Sequence, residues 1–210
     1  MDTCKAAGSP GFVHTAAASQ LGQMLVKMQM ETKDLKIINV VCRDEQAKVL
    51  RDLGVEPEFI VVTDSDGIWK HRLKELIEKH EITVAFDAIA GETPGDLLKL
   101  LPKNGICYVY GGLSGQEVGG IPPIEMIYAA KKVEGWLLPR WLMGNGSKIT
   151  AARMIHYASG IVNPGLVAGG WASSTFTDTT LDAAFSKFLE MFSNIGSGGF
   201  TGKKLRIRFD

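Results

Sequence analysis

The chain has 210 residues, 45% hydrophobic and 22% charged, and its 23 basic and 23 acidic side chains sum to a formal net charge of zero. That length supports one sizeable core, and the balanced charge removes the electrostatic case for a nucleic-acid partner. Apolar runs are broken by Gly, Lys or Pro before they reach membrane-spanning length, and the first residues lack a basic-then-apolar leader. The expectation is a soluble, cytoplasmic chain with no membrane partner.

Apolar strands alternate with capped helices along the chain. A first strand at 11–15 leads through a turn of small residues into a helix from about Gln20 to Met30. Lys36 to Cys42 reads as the second strand. Asp44 then caps a helix with Ala47, Leu50 and Leu53 on one face and Gly54 at its end. Phe59 to Val62 is the third strand, followed by a helix opened by Asp64 or Asp66 whose buried stripe is Trp69, Leu73, Leu76 and Ile77. The fourth strand covers 83–89, and Thr93 with Pro94 starts the next helix.

Ile106 to Tyr110 is the fifth strand and runs into Gly111 and Gly112. Pro123 begins a helix to about Lys131, and Val133 to Leu138 forms the sixth strand. Ser147 caps a helix to about Ser159, Asn163-Pro-Gly165 marks a turn, and Thr180 caps a last helix carrying Ala184, Phe185, Phe188 and Phe192. Residues 193–202 are a Gly/Ser-rich connection, and the alternation of 204–209 predicts a half-exposed final strand. The pattern predicts an α/β, Rossmann-type doubly wound fold: a mainly parallel six-stranded sheet with helices on both faces, plus a C-terminal helix and strand.

Such a sheet binds ligands outside the carboxyl ends of its strands, at the point where strand order reverses. The first turn, Thr15-Ala-Ala-Ala-Ser-Gln-Leu-Gly22, has only Gly22 where a glycine permits close packing of helix on strand. Small residues still allow a tight backbone approach, so Ala17, Ala18, Ser19, Gln20 and Leu21 are the candidate phosphate ligands, the Ser19 hydroxyl adding one donor. About twenty residues past Gly22, where an NAD-binding fold has an acid for the ribose hydroxyl, stand Cys42 and Arg43. The planar fork of Arg43 suits a 2′-phosphate, which points to NADP(H) over NAD(H), although Asp44 and Glu45 lie close by. Ile89, Ala90, Tyr110, Gly111, Gly112 and Leu113, at two later strand ends, fall on the same edge and fit a nicotinamide-ribose lying against the backbone.

Three stretches then carry a resemblance: Phe86 to Thr93, Leu100 to Gly115 and Lys132 to Leu138 are similar to the cofactor domain of medium-chain dehydrogenases/reductases, the superfamily of zinc-type alcohol dehydrogenases and quinone reductases. Leu181 to Phe185 and Thr201 to Ile207 resemble that family's closing helix and strand, so the likeness spans about residues 11–209. It implies an oxidoreductase module that holds NADP(H) for hydride transfer to a carbonyl, quinone or enone. It also implies a homodimer through strand 133–138. Family members carry a catalytic domain ahead of this one, and this chain resembles only the second half. Residues 1–10 are therefore expected to be a linker or remnant of an interdomain helix, 11–192 the nucleotide-binding domain and 193–210 a connection and strand.

The three cysteines, Cys4, Cys42 and Cys107, lack paired spacing, and His14, His71, His80 and His156 form no ligand set with them, so no zinc is expected. Two other readings compete. One is a non-catalytic nicotinamide-nucleotide sensor or partner subunit. The other is a short-chain-dehydrogenase-like reductase, since Tyr128 and Lys132 satisfy Tyr-x-x-x-Lys, in which lysine lowers the tyrosine pKa for acid-base work.

Overall fold

The computed structural model describes residues 2–33, 35–63, 67–143, 150–167, 169–174, 176–180 and 204–208. A short helix α1 (Asp2–Ala6) precedes β1 (Gly11–His14), α2 (Gln20–Thr32), β2 (Lys36–Val41), α3 (Asp44–Asp52) and β3 (Ile60–Val62). The chain then crosses through α4 (Trp69–Lys79) to β4 (Val84–Asp87), α5 (Thr93–Leu100), β5 (Ile106–Val109), α6 (Pro123–Ile127) and β6 (Lys132–Gly135). These six strands form one all-parallel sheet in the order β3-β2-β1-β4-β5-β6. The predicted doubly wound architecture is the one observed.

Strand periodicity assigns the two faces. Val13, Ile38, Val40, Val61 and Ala85 pack with Leu73, Leu76 and Ile77 of α4 and Leu97 and Leu98 of α5. The alternate positions serve the other face, where Val41 and Ile60 meet Val26 of α2 and Ala47 and Leu50 of α3, while Phe12, Ile37 and Val84 meet Cys4 of α1. Because both faces are covered there, the inner strands are mainly apolar runs that stand out in the sequence, whereas the edge strand β6, Lys-Val-Glu-Gly, is mostly exposed.

Helix α2 is capped by Ser19, whose backbone is extended and whose hydroxyl oxygen accepts the Gly22 amide at 3.2 Å. Gly22 sits against the Ala17 carbonyl, a space that any Cβ would enter.

The differences lie in the second half. Helix α6 ends at Ile127 instead of continuing to Lys131, because the chain must turn at Ala130, with φ 51°, to enter β6. Strand β6 stops at Gly135 instead of reaching Leu138, which opens helix α7 (Leu138–Met143) with Pro139 in its first turn. Helix α8 (Thr150–Tyr157) runs through a π-helical segment at Ala158–Val162 into α9 (Asn163–Leu166), where a turn was expected. A strand that the sequence did not announce, β7 (Phe176–Thr180), pairs in parallel with β8 (Lys204–Arg208) in a second, two-stranded sheet. The predicted Ser147 cap, the helix after Thr180 and the 193–202 connection lie outside the described residues.

Overpacking at Gly22 sets a stability test. Gly22→Ala is expected to cost roughly 1–3 kcal/mol by urea unfolding, since the added methyl meets backbone that cannot rotate away. Gly112→Ala, with open space around its Cβ position, should be near neutral. Equal losses at the two positions would contradict the close-packing account.

Candidate functional site

Between β1 and β4 the order of the sheet reverses, so α2 leaves β1 toward one face while the segment after β4 leaves toward the other. The two strands share only the registers Val13↔Ala85 and His14↔Phe86 before they separate, which opens a crevice at the carboxyl edge. The turn above β1 holds Ala16 at φ 50°, a left-handed conformation in which an alanine costs roughly 1–2 kcal/mol. Two of the expected donor amides are committed inside the fold: Ala17 N–H donates to Val40 O at 3.3 Å and Ser19 N–H to Ala16 O at 2.9 Å. The Ala18 and Leu21 amides remain as backbone donors of the turn. The Ser19 hydroxyl, which accepts at the cap, keeps a proton to give.

Across the crevice, the Thr15 hydroxyl donates to Asp87 Oδ1 at 2.8 Å and accepts the Ala88 amide at 2.9 Å. Asp87 Oδ2 accepts the amides of Ile89 at 3.1 Å and Ala90 at 2.6 Å. Burial pushes the Asp87 carboxyl above its ordinary range, and these three donors pull it back part of the way. The loops after β4 and β5 are laced together, with Tyr110 N–H on Asp87 O, Leu113 N–H on Ala88 O and Ser114 N–H on Ile89 O, all at 2.9–3.0 Å. Gly111 is required there, since its Cβ would stand 2.8 Å from Ala88 O.

Arg43 follows β2 on this same edge. Gln46 Oε1 accepts the amides of Cys42 at 2.8 Å and Arg43 at 3.2 Å, which fixes the turn, and Arg43, Asp44 and Glu45 are all exposed. The turn after β1, Arg43, the pair Ile89 and Ala90, and the run Tyr110 to Leu113 thus stand at the carboxyl ends of β1, β2, β4 and β5.

Sequence reasoning missed a pair at this edge. His14, the last residue of β1, is fully buried, and its Nε2 lies 2.6 Å from the Tyr110 hydroxyl. Desolvation lowers the His14 pKa to about 4, while burial and then the Asp87 charge push Tyr110 well above the ordinary phenol. Both are therefore neutral around pH 7. They border a cavity of about 510 Å³ walled by Phe12, Phe86, Trp136, Leu21 and Leu25. The only local signal was a polar residue closing an apolar strand. Its partner stands two strands away in the sheet, beyond β4, which no local pattern reveals.

The Tyr128/Lys132 reading is corrected. Tyr128 falls after the five-residue α6 and is 77% exposed, and Lys132 opens β6 at the amino edge, so the two do not share a helix face or the crevice. The neighbouring Lys131 is the buried lysine, bound to Glu125 Oε2 at 2.6 Å and Leu98 O at 2.9 Å as a C-terminal brace for α5. Cys4 and Cys107 are buried, with thiols pushed up to about 11 and about 12 by desolvation, so they are inert, whereas Cys42 is exposed. Among the described residues no three His, Cys, Asp or Glu side chains cluster to hold a metal, and no helix is long and apolar enough to cross a membrane.

No protein-family model matches the sequence. A curated relative, the mitochondrial enoyl-[acyl-carrier-protein] reductase of Dictyostelium discoideum, is 24% identical over 136 residues, 62% of this chain and 37% of that protein. Among solved structures, a protein assigned as an NADPH:quinone reductase from Mesorhizobium loti superposes with a TM-score of 0.74 at 23% identity, covering 99% of this chain and 56% of that one. The complex of Etr1p, an enoyl thioester reductase of Candida tropicalis, with NADP and crotonyl-CoA gives 0.65 at 17% identity, covering 96% and 54%. This chain shares the fold of about half of each of these solved reductases. It spans about half the length of these solved structures and 37% of the curated relative.

The buried imidazole sets a pH dependence. Unfolded His14 takes up a proton near pH 6.5 and folded His14 only near 4, so its contribution to stability is complete above 6.5 and is lost as the pH falls toward 4. Asp87, raised in the folded state, acts in the opposite sense and offsets part of the loss at the acid end. Urea titrations should show about 2 kcal/mol less stability at about pH 5 than at about pH 7.5. In His14→Gln that dependence should flatten, and an unchanged slope would remove His14 as its source.

Proposed function

We propose that this chain is the NADP(H)-holding part of a medium-chain-type reductase, with residues 11–192 as its nucleotide-binding body, 1–10 as linker and 193–210 as closing connection and strand. The reading is carried by one observation: the Ser19-capped start of α2 and Arg43 stand on the same carboxyl edge, beside the switch point of a 3-2-1-4-5-6 sheet. NADP bound in the Etr1p complex adds support from a protein of the same fold.

In this reading the Ala18 and Leu21 amides, with the Ser19 hydroxyl and the positive end of α2, hold the pyrophosphate. Ala17 and Gln20 shape that turn, and Arg43 pairs with the 2′-phosphate. Ile89, Ala90, Gly111, Gly112 and Leu113 form the floor under the nicotinamide-ribose, with Tyr110 at its side. Bound there, the reduced nicotinamide supplies a hydride to a carbonyl, quinone or enone. What this chain contributes is binding, orientation and a dry apolar wall. No zinc takes part. The outer side of β6, at the end of the sheet, is the proposed surface for a second copy, and the cytoplasm is the proposed compartment.

Calorimetry should show NADPH bound more tightly than NADH, and Arg43→Ala should cut that preference roughly tenfold, the loss of one charge-assisted pair. Absent NADPH affinity, or a preference untouched by Arg43→Ala, would sink the assignment. Sedimentation equilibrium is expected to give a dimer, and a monomer at all concentrations removes the β6 contact. NADPH oxidation across a panel of quinones and aldehydes separates a reductase from a cofactor-occupied sensor.

A further inference from the structure

The cavity beside the switch point has a mainly aromatic and aliphatic wall whose polar groups are the His14–Tyr110 pair, the unpartnered Trp136 Nε1–H and Thr3. Phe12 meets Phe86 edge-on at 5.4 Å between centroids, Phe86 meets Trp136 at 6.4 Å and 87°, and His14 lies parallel to Tyr110 at 6.0 Å and 14°. Leu21 and Leu25 of α2 add aliphatic surface to the lining. Flat rings and branched aliphatic chains select a planar ligand body.

Among these polar groups, the His14–Tyr110 pair has an unpartnered atom that decides which way it is wired. His14 Nδ1 is buried with no hydrogen-bond partner. If Tyr110 donated to Nε2, the ring proton would sit on Nδ1 as an orphaned N–H, the rarer and costlier defect. If instead Nε2–H donates to the tyrosine oxygen, Nδ1 is left with only a bare lone pair. That arrangement frees the Tyr110 O–H, which can then serve a ligand in the cavity.

We propose that the Tyr110 hydroxyl, oriented by His14, is the hydrogen-bond donor for the exocyclic carbonyl oxygen of a planar conjugated ligand seated between Leu21, Phe86 and Trp136. Two sources carry that chemistry: the carboxamide of a nicotinamide ring, which rests on the function proposed above, and the carbonyl of a quinone or enone substrate, which does not. Tyr110 is the contact residue and His14 the positioning residue. The pair adds direction to a mostly apolar wall: such a slot accepts a ring in several orientations, and a donor held in place by a buried partner selects among them.

The test uses the intact chain with three probes by calorimetry: NADP, 2′-phospho-ADP-ribose, which lacks the nicotinamide, and menadione, a planar naphthoquinone. Tyr110→Phe deletes only the hydroxyl, and His14→Phe keeps a ring while deleting the donor to it. If the nicotinamide is the occupant, both variants weaken NADP about tenfold and leave 2′-phospho-ADP-ribose unchanged. If a substrate carbonyl is the occupant, they weaken menadione about tenfold and leave NADP unchanged. In either case the double variant should lose no more than the larger single loss, because His14 acts through Tyr110; two purely structural lesions would add. The proposal is overturned if both ligands bind both variants within about twofold of the unsubstituted chain, if the losses add in full, or if neither ligand binds the unsubstituted chain. Failure of the dinucleotide reading appears separately, as absent affinity for 2′-phospho-ADP-ribose, and leaves the menadione arm readable.

Discussion

The hydrogen bond from Thr15 to Asp87 is the constraint on which the crevice depends. β1 and β4 are neighbours in the sheet, yet their paths part at the carboxyl edge because the chain beyond each goes to a different face. Backbone pairing reaches its limit with the Thr15 amide on Phe86 O at 3.1 Å. Past that point a side chain takes over the work of the ladder. The Thr15 hydroxyl ties both the Asp87 carboxylate and the Ala88 amide, and the other carboxylate oxygen gathers the Ile89 and Ala90 amides. A buried carboxylate is tolerable only with such a set of donors, and the set folds the loop after β4 into one shape. That shape seats the β5 loop through its bonds to Ala88 and Ile89, so the floor of the crevice derives from this single buried charge.

Glycine usage at the edge separates two demands that a glycine fingerprint combines. At two positions of positive φ this chain uses alanine, Ala16 with φ 50° and Ala90 with φ 63°, and accepts the strain, while Gly115, at φ 67° in open space, keeps glycine for its conformation. Where another backbone approaches too closely for any Cβ, glycine remains: Gly22 against Ala17, and Gly111 against Ala88. Local bonds offset the strain in the first turn, since Gln23 Nε2 reaches back to Ala18 O at 2.9 Å and Ser19 caps the helix. In the first turn the degenerate pattern therefore follows contact distance, with conformational ease given up at Ala16.

This explains what was legible in the sequence. The inner strands were readable because a sheet covered on both faces needs apolar runs, whereas β6, Lys-Val-Glu-Gly and mostly exposed, was legible from its place after the Pro123 helix. The edge that gathers Ser19, Arg43, Ile89 and Tyr110 followed from strand order alone. The Tyr128/Lys132 spacing misled because a Tyr-x-x-x-Lys pattern has meaning only on an unbroken helix, and α6 stops one residue before Tyr128. Strand β7 escaped because its partner is β8, 24 residues beyond its end, and its run of threonines lacks the apolar alternation that marks a half-buried strand. The His14–Tyr110 pair escaped for a related reason: it joins side chains across an intervening strand, a relation set by three-dimensional register.

The titratable groups around the crevice share one electrostatic character. His14 is held neutral by burial, Tyr110 is held protonated by burial and by the Asp87 charge, and Cys107, pushed up to about 12, stays a thiol. Asp87 has both oxygens occupied by donors from its own fold. A group useful in proton transfer needs a pKa near the working pH and a free path to the reacting atom, and these four lack one or both. The same desolvation that withholds them from acid-base work fixes their hydrogen bonds, since a neutral buried pair cannot be broken by a modest pH change. The polar groups at the crevice are thus fixed in place by the fold and keep one protonation state near neutral pH.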